Sequence, residues 1–119
     1  MSRRPNPAEF LPLKPDVFDI LLALLDGDAH GYKLIKAASA RDGRKGQLQP
    51  GALYRLLKQL LDRGLVDEVN PPRGEDGDAR RRFYRITPFG RDVVRAEGER
   101  LAAVLGTLRR YRLAPSREK

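Results

Sequence analysis

The sequence contains no cysteine and no tryptophan, and only one histidine, His30. Without thiols there is no disulfide framework, no zinc–thiolate site and no cysteine nucleophile. A lone histidine with no clustered carboxylates supplies neither a metal-ligand set nor a nucleophile–base pair. His30 therefore reads as a turn or packing residue, and no catalytic residue, metal or cofactor is expected. No apolar run approaches the roughly 18 residues that a membrane span requires, and the first residues lack the basic-then-apolar order of a secretory signal. Gly43 and Gly46 match neither a Walker A loop nor a dinucleotide fingerprint. These absences predict a non-enzymatic, cytoplasmic protein with no membrane partner.

What the chain does have is positive charge: 24 Lys and Arg against 16 Asp and Glu, a formal net charge of +8. Such an excess points to a polyanion as partner. A length of 119 residues allows one hydrophobic core. With 40% hydrophobic and 34% charged residues the chain should fold, and some of its apolar surface is expected to be completed by a partner.

The most informative stretch runs from Leu48 to Val66. Pro50 suits a first helical turn and Gly64 a left-handed stop, while Leu53, Leu56, Leu57, Leu60 and Leu61 recur at helical spacing. The opposite face carries Tyr54, Arg55, Lys58 and Gln59, groups that pair with phosphates and base edges. This is read as a recognition helix.

Around it, residues 1–14 carry Arg3, Arg4 and three prolines and read as a flexible basic arm, either disordered or lying on DNA or a partner subunit with Phe10 as an anchor. Pro15-Asp16 opens a helix apolar nearly all round, with Val17, Ile20, Leu21, Leu24 and Leu25 on one face and Phe18 and Leu22 flanking. After Ala29-His30-Gly31-Tyr32, a second helix is predicted from Lys33 to about Ala40. The link Arg41–Gln47 bears Arg44 and Lys45, which either track a phosphate backbone or are simply solvated. Leu65–Val69 and Arg80–Ile86 read as two strands joined by a turn-rich loop, a wing whose return strand starts with Arg80, Arg81 and Arg82.

Thr87 and Pro88 fit the N-cap and first position of a last helix. Val94, Leu101 and Leu108 repeat every seven residues beside Leu105, either a dimer seam or a face packed on the chain's own domain. The fold class is mainly α with a small β-hairpin: a winged helix-turn-helix at 15–87, a C-terminal dimerisation helix at 88–113 and a tail at 114–119.

More narrowly, the chain resembles the PadR family of transcriptional regulators. The residues that carry the resemblance are Leu21-Leu22-Ala23-Leu24-Leu25 with His30-Gly31-Tyr32-Lys33-Leu34-Ile35, then Pro50-Gly51-Ala52-Leu53-Tyr54 with Leu57, Leu60 and Gly64-Leu65-Val66. Arg80-Arg81-Arg82-Phe83-Tyr84-Arg85-Ile86-Thr87 with Gly90-Arg91 completes it. The resemblance spans about Leu13 to Leu108 and implies a homodimer that represses by binding a palindromic operator, often released by a small aromatic or cationic compound. Two departures stand out. Gln49 occupies a position commonly Ser or Thr in the family, losing a cap worth roughly 1 kcal/mol, and Arg55 replaces a common Pro, adding a cation. The absence of Trp means that a tryptophan-lined pocket cannot be carried over.

The expected DNA-binding set is thus Gln49, Tyr54, Arg55, Lys58, Gln59, Arg44, Lys45, Arg80, Arg81 and Arg82 on double-stranded DNA. Tyr54 and Lys58 would meet backbone or base edges, Arg55 and Gln59 bases, and the wing arginines the flanking backbone or minor groove. With a poor cap and an added charge, the helix is expected to anchor strongly on phosphate and discriminate bases modestly. The expected dimer interface is Val94, Leu101, Leu105 and Leu108; Phe10, Phe18 and Tyr111 either line an effector pocket or form ordinary dimer core. The alternative function is a winged-helix interaction module whose basic face meets an acidic protein.

Overall fold

Proline occupies the first turn of each of the three longest-spaced apolar stripes, at Pro15, Pro50 and Pro88, where its missing N–H leaves no helical bond unmade. The computed structural model describes residues 5–42, 49–70 and 82–115. A 3-10 turn (Pro7–Phe10) is followed by α1 (Pro15–Leu24), β1 (Ala29–His30), α2 (Gly31–Asp42), α3 (Pro50–Asp62), β2 (Val66–Val69), β3 (Phe83–Ile86) and α4 (Pro88–Arg110). The architecture is the winged helix-turn-helix expected from the helix and strand order.

The core is built where the four helices converge. Ile20, Leu21 and Leu24 from α1 meet Leu34 of α2, Leu53, Leu57 and Leu60 of α3, and Val93 of α4, all essentially removed from water. Burial of each such side chain contributes about 1.5–3 kcal/mol before the entropy of ordering is subtracted. Leu25, placed on the buried face by the periodicity, is instead exposed, because α1 ends at Leu24 and the chain turns through Gly27 at φ 139°.

α3 stops as its sequence predicts. Gly64 takes φ 82°, its N–H donates to the Leu61 carbonyl at 3.1 Å, and the Leu65 N–H donates to the Leu60 carbonyl at 2.9 Å. This crossed pair of bonds is a Schellman motif, and Leu60 and Leu65 supply its apolar contact within the core. Thr87 caps α4 by accepting from the Gly90 N–H at 2.9 Å, and its own hydroxyl donates to the Gly64 carbonyl at 2.6 Å.

Two elements depart from the sequence reading. The residues before the second helix, read as a lead-in, form β1, which pairs with β3 (Ala29 with Tyr84, His30 with Phe83) and makes a three-stranded sheet of order β1-β3-β2. Strand β3 is consequently central, and Phe83, Tyr84 and Ile86 are all buried, so the expected alternation breaks at Phe83–Tyr84. The second difference lies in residues 5–14, read as extended and flexible. Asn6 caps the 3-10 turn through Oδ1 at 2.9 Å from the Ala8 N–H, and Phe10, Leu11 and Leu13 pack against the core. Phe10 does anchor the segment, on its own chain: its ring meets Phe89 edge-on at 5.5 Å.

α4 faces the core with Gly90, Val93 and Glu97. The Glu97 carboxylate, 2% exposed, accepts from Arg100 at 2.6 and 3.1 Å and from the Leu13 N–H at 3.2 Å. The Arg100 bonds hold the Glu97 carboxyl below its ordinary range, overcoming the upward push of burial, and the Leu13 N–H adds to the lowering. A lowered folded value means that the stabilisation is complete above the unfolded carboxylate pKa, about 4.3, and is lost as pH falls through the folded value. The stability gap between the native chain and Glu97→Gln, measured by urea unfolding, is expected to be about 1–3 kcal/mol at neutral pH. It should shrink as the carboxyl protonates; a gap that persists undiminished at the acid end rules out the ion pair as its source.

Candidate nucleic-acid interface

Helical periodicity divides α3 into two faces. Leu53, Leu57 and Leu60 are buried, with Ala52, Leu56 and Leu61 at the margins, while Gly51, Tyr54, Arg55, Lys58, Gln59 and Asp62 are exposed. The structure thus brings Tyr54, Arg55, Lys58 and Gln59 together on one outward face. Lys58 Nζ lies 3.9 Å from Asp62 Oδ2 with both side chains largely solvated. Such a pair is worth a few tenths of a kcal/mol and does not keep the ammonium from a phosphate. Gln49 is the N-cap residue and makes no side-chain cap bond, as its replacement of Ser or Thr implies.

Tyr54 is positioned by a residue that the sequence reading used only as a motif letter. A Cβ built on Gly31 would sit 2.7 Å from Tyr54 Oη, 3.1 Å from its Cζ and 3.2 Å from Leu53 Cδ2. Only glycine lets the start of α2 approach α3 this closely, and the Tyr54 ring, 49% exposed, rests over the gap. Gly31→Ala is expected to leave the melting temperature within a few degrees, since the far end of Tyr54 can swing into solvent. It should weaken DNA binding by about the same factor as Tyr54→Ala, with no further loss in the double variant. Additive losses in that cycle would place the effect of Gly31 elsewhere.

The root of the wing is tied to α3 through a second tyrosine. Tyr84 is buried, its hydroxyl oxygen accepts a hydrogen bond from Arg82, and it interacts electrostatically with Glu68 and Tyr54. Burial pushes its hydroxyl pKa up, and Glu68 adds to the rise. Arg82 itself is exposed, with Nε 3.7 Å from Glu68 Oε2 across the β2–β3 ladder. Arg85, by contrast, turns away to clasp Asp28, donating from Nε to Oδ1 at 3.0 Å and from Nη2 to Oδ2 at 2.8 Å, pinning the turn after α1 to the sheet. That fork joins residues 57 apart, and no local pattern announces it. The expected contacts Arg44, Lys45, Arg80 and Arg81 lie outside the described residues, as does the wing loop.

A groove runs beside the basic face, between the start of α1 and α3. One part, about 410 Å³, is lined by Lys14, Val17, Arg55, Leu56 and Gln59 among others. The adjoining part, about 250 Å³, adds Phe10, Leu13, Leu60 and Arg63. Of the three aromatics assigned to an effector pocket, Phe10 lines this groove and Phe18 is half-buried on α1. Tyr111 follows the far end of α4, roughly 30 Å from Phe89 at 1.5 Å per residue. Because Phe10 meets Phe89 edge-on, Phe10 and Tyr111 lie too far apart to share a cavity within one chain. Among the described residues no group of three or more His, Cys, Asp or Glu side chains could hold a metal ion, and no helix is long and apolar enough to cross a membrane.

Comparison with known proteins gives one family match and several structural likenesses. The model of the transcriptional regulator PadR-like family matches residues 20–96. A stretch of 87 residues, 73% of the chain, is 36% identical to an uncharacterised 37.1 kDa protein in transposon TN4556 of Streptomyces fradiae; the chain spans 23% of that protein's length. Among solved structures, a PadR family transcription regulator of Clostridium difficile R20291 superposes with a TM-score of 0.64 at 22% identity, covering 82% of this chain and 96% of that one. A transcriptional regulator of Clostridium thermocellum gives 0.63 at 23% identity over 82% and 88%. The RosR protein of H. salinarum gives 0.66 at 23% over 81% and 80%. The structural likenesses establish the winged-helix fold, the family match extends through both the α3 face and the wing, and the chain belongs to the PadR-like family of transcriptional regulators.

Proposed function

We propose that this chain is a homodimeric repressor that binds double-stranded DNA at a palindromic operator, with residues 15–87 as the DNA-binding unit and 88–113 as the pairing helix. The observation that carries the reading is the outward face of α3, where Tyr54, Arg55, Lys58 and Gln59 stand together on a rigid helix. In this reading α3 enters the major groove, Arg55 and Gln59 meet base edges, and Lys58 and Tyr54 meet phosphate or the outer base edges. Gln49 lies at the entry of the helix. Arg82, with Arg80 and Arg81 before it and Arg44 and Lys45 on the α2–α3 link, adds phosphate contacts on either side. Such a chain needs no catalytic group or cofactor.

Pairing is supported by α4. Its core-facing stripe of Gly90, Val93 and Glu97 continues beyond Arg100 into Leu101, Val104, Leu105 and Leu108, where the chain's own core no longer covers it. Leu101 and Val104 are 40% and 44% exposed. An apolar stripe continuous with a buried one, left open on a projecting helix, suits a second copy of the same helix. Val94 belongs to the other end of this seam, half-buried against the chain's own core. Release by a small aromatic or cationic compound is part of the same reading, with the effector at the junction of the two chains, near Phe18 and Tyr111 or in the groove at Phe10.

The test combines mass and footprint. In sedimentation, the native chain is expected to run as two copies, and Leu101→Glu/Leu105→Glu as one, since two opposed pairs of buried carboxylates cannot be paired. On genomic fragments the native chain should protect two symmetric half-sites about one helical turn apart. The double variant should lose on the order of 100-fold in affinity for the full site. A native chain that sediments as a single copy while protecting DNA would overturn the pairing; one that binds acidic protein surfaces and no duplex would favour the interaction-module reading.

A further inference from the structure

A dimer held through α4 can only present two recognition helices at a defined separation if α4 is rigidly fixed to α3. We propose that the segment Asn6–Lys14 is a bracket, anchored on Glu97, that locks the angle between α4 and α3 and so sets the half-site spacing the regulator accepts; this rests on the two-chain DNA reading above.

The first attachment of α4 is at its start, where the Thr87 hydroxyl donates to the Gly64 carbonyl at 2.6 Å and Gly90 packs directly on the Leu65 backbone. Val93, three residues on, sits in the core, but a rod held only over its first turn can still tilt. The second attachment is Glu97, seven residues further on, about 10 Å along the axis. There the carboxylate accepts from the Leu13 N–H at 3.2 Å, while Phe10 meets Phe89 edge-on at 5.5 Å. The same segment holds α3 with its other side. The Arg63 guanidinium, at the α3 C-cap, lies 5.5 Å over the Phe10 ring. Phe10, Leu13 and Lys14 also share one groove with Leu56, Gln59 and Leu60 of α3.

The chemistry of the anchor argues for orientation rather than adhesion. A carboxylate 2% exposed beside Gly90 and Val93 is a costly way to fill space, and an apolar residue would pack as well or better. What an apolar residue cannot supply is a directional bond to a backbone N–H of a separate segment. Arg100 offsets the buried charge with two bonds, 2.6 and 3.1 Å, so the carboxylate persists as an acceptor for Leu13.

The geometry magnifies small errors. From Gly90 to Arg110 the helix runs roughly 30 Å, so a tilt of about 10° at the pivot displaces its end by about 5 Å. The rise per base pair is about 3.4 Å, so such a tilt moves the recognition helix out of register by more than one step.

The test uses the full chain, and the absence of native cysteine makes it direct. Spin labels on Asp62→Cys and Ala103→Cys, both exposed, report the α3–α4 distance in labelled chain diluted into unlabelled chain. Glu97→Gln preserves side-chain volume, and Phe10→Ala lesions the half-buried segment without touching Glu97. Each is expected to broaden the distance distribution at least twofold. In parallel, unlabelled chains are titrated with a duplex selected by the native protein from a random pool, and with versions carrying two base pairs inserted between half-sites. The native chain should lose about 30-fold on insertion and each variant less than about 5-fold, a mismatch cost of the size set by misplaced base contacts. An unchanged distance width in both variants overturns the bracket. A broadened width with an undiminished insertion penalty overturns its role in spacing. A native chain indifferent to insertion marks failure of the two-chain DNA reading instead, and the distance widths then decide the bracket alone.

Discussion

Arg55→Ala/Lys58→Ala is expected to lower affinity for the chain's own operator by on the order of 100-fold while leaving the melting temperature within a few degrees. Both side chains stand on the exposed face of α3, and neither contributes to the core that Leu53, Leu57 and Leu60 build. The pair Lys58–Asp62 at 3.9 Å is solvated, so its loss is worth only tenths of a kcal/mol. The two losses should also differ in kind. Removing Lys58, a point charge, should weaken all duplexes alike and reduce the salt slope by about 1. Removing Arg55, whose planar fork matches guanine, should cost about 1–3 kcal/mol on the operator and less on unrelated DNA. Competition of labelled operator with unrelated duplex separates the two; equal losses on both by Arg55→Ala would return that residue to the phosphate backbone.

The largest effect on stability is expected at Gly90→Ala. A Cβ there would collide with the Leu65 carbonyl oxygen and press on Ile86 Cγ1 at 2.8 Å. The first obstacle is backbone, held in place by the Schellman turn and by the Thr87 N–H bond to the same carbonyl at 3.0 Å, and so cannot yield as a side chain would. Overpacking against such a neighbour should cost about 3 kcal/mol, a fall of roughly 10 °C in melting temperature for a domain of this size. The same helix supplies the control. A Cβ on Gly98 meets nothing within 4 Å, so Gly98→Ala should gain up to about 1 kcal/mol from helix propensity alone. Thermal unfolding of the two variants should therefore move in opposite directions. A Gly90→Ala chain that melts with the native one would mean that α4 does not seat on the turn after α3 as described.

The parts of this fold legible in sequence are those whose information is local. Pro50, the leucine stripe and Gly64 define α3 because start, period and stop lie within one stretch, and Thr87-Pro88 does the same for α4. The outward set Tyr54, Arg55, Lys58 and Gln59 follows from the same periodicity. What was not legible depends on distant partners. β1 is two residues long and exists only because β3 pairs with it, and Asp28 finds Arg85 across 57 positions. Residues 5–14 look unstructured by their prolines and become ordered through Phe89, Arg63 and Glu97, none of which is near in sequence. Glu97 reads as one more charge on a charged helix until its burial against Leu13 is seen. Gly31 did carry a local signal, a small residue directly before Tyr32, yet its reason is the Tyr54 hydroxyl on another helix.

The most direct test of the central claim is a salt titration of binding between the native chain and duplex DNA, by fluorescence anisotropy, beside Arg55→Ala/Lys58→Ala. Log affinity is expected to fall linearly with log salt at about 0.9 per phosphate neutralised, and the double variant to bind more weakly with a visibly shallower slope. Binding to duplex that is indifferent to salt, or a double variant with unchanged affinity and slope, would contradict the assignment of the α3 face as the DNA-reading surface.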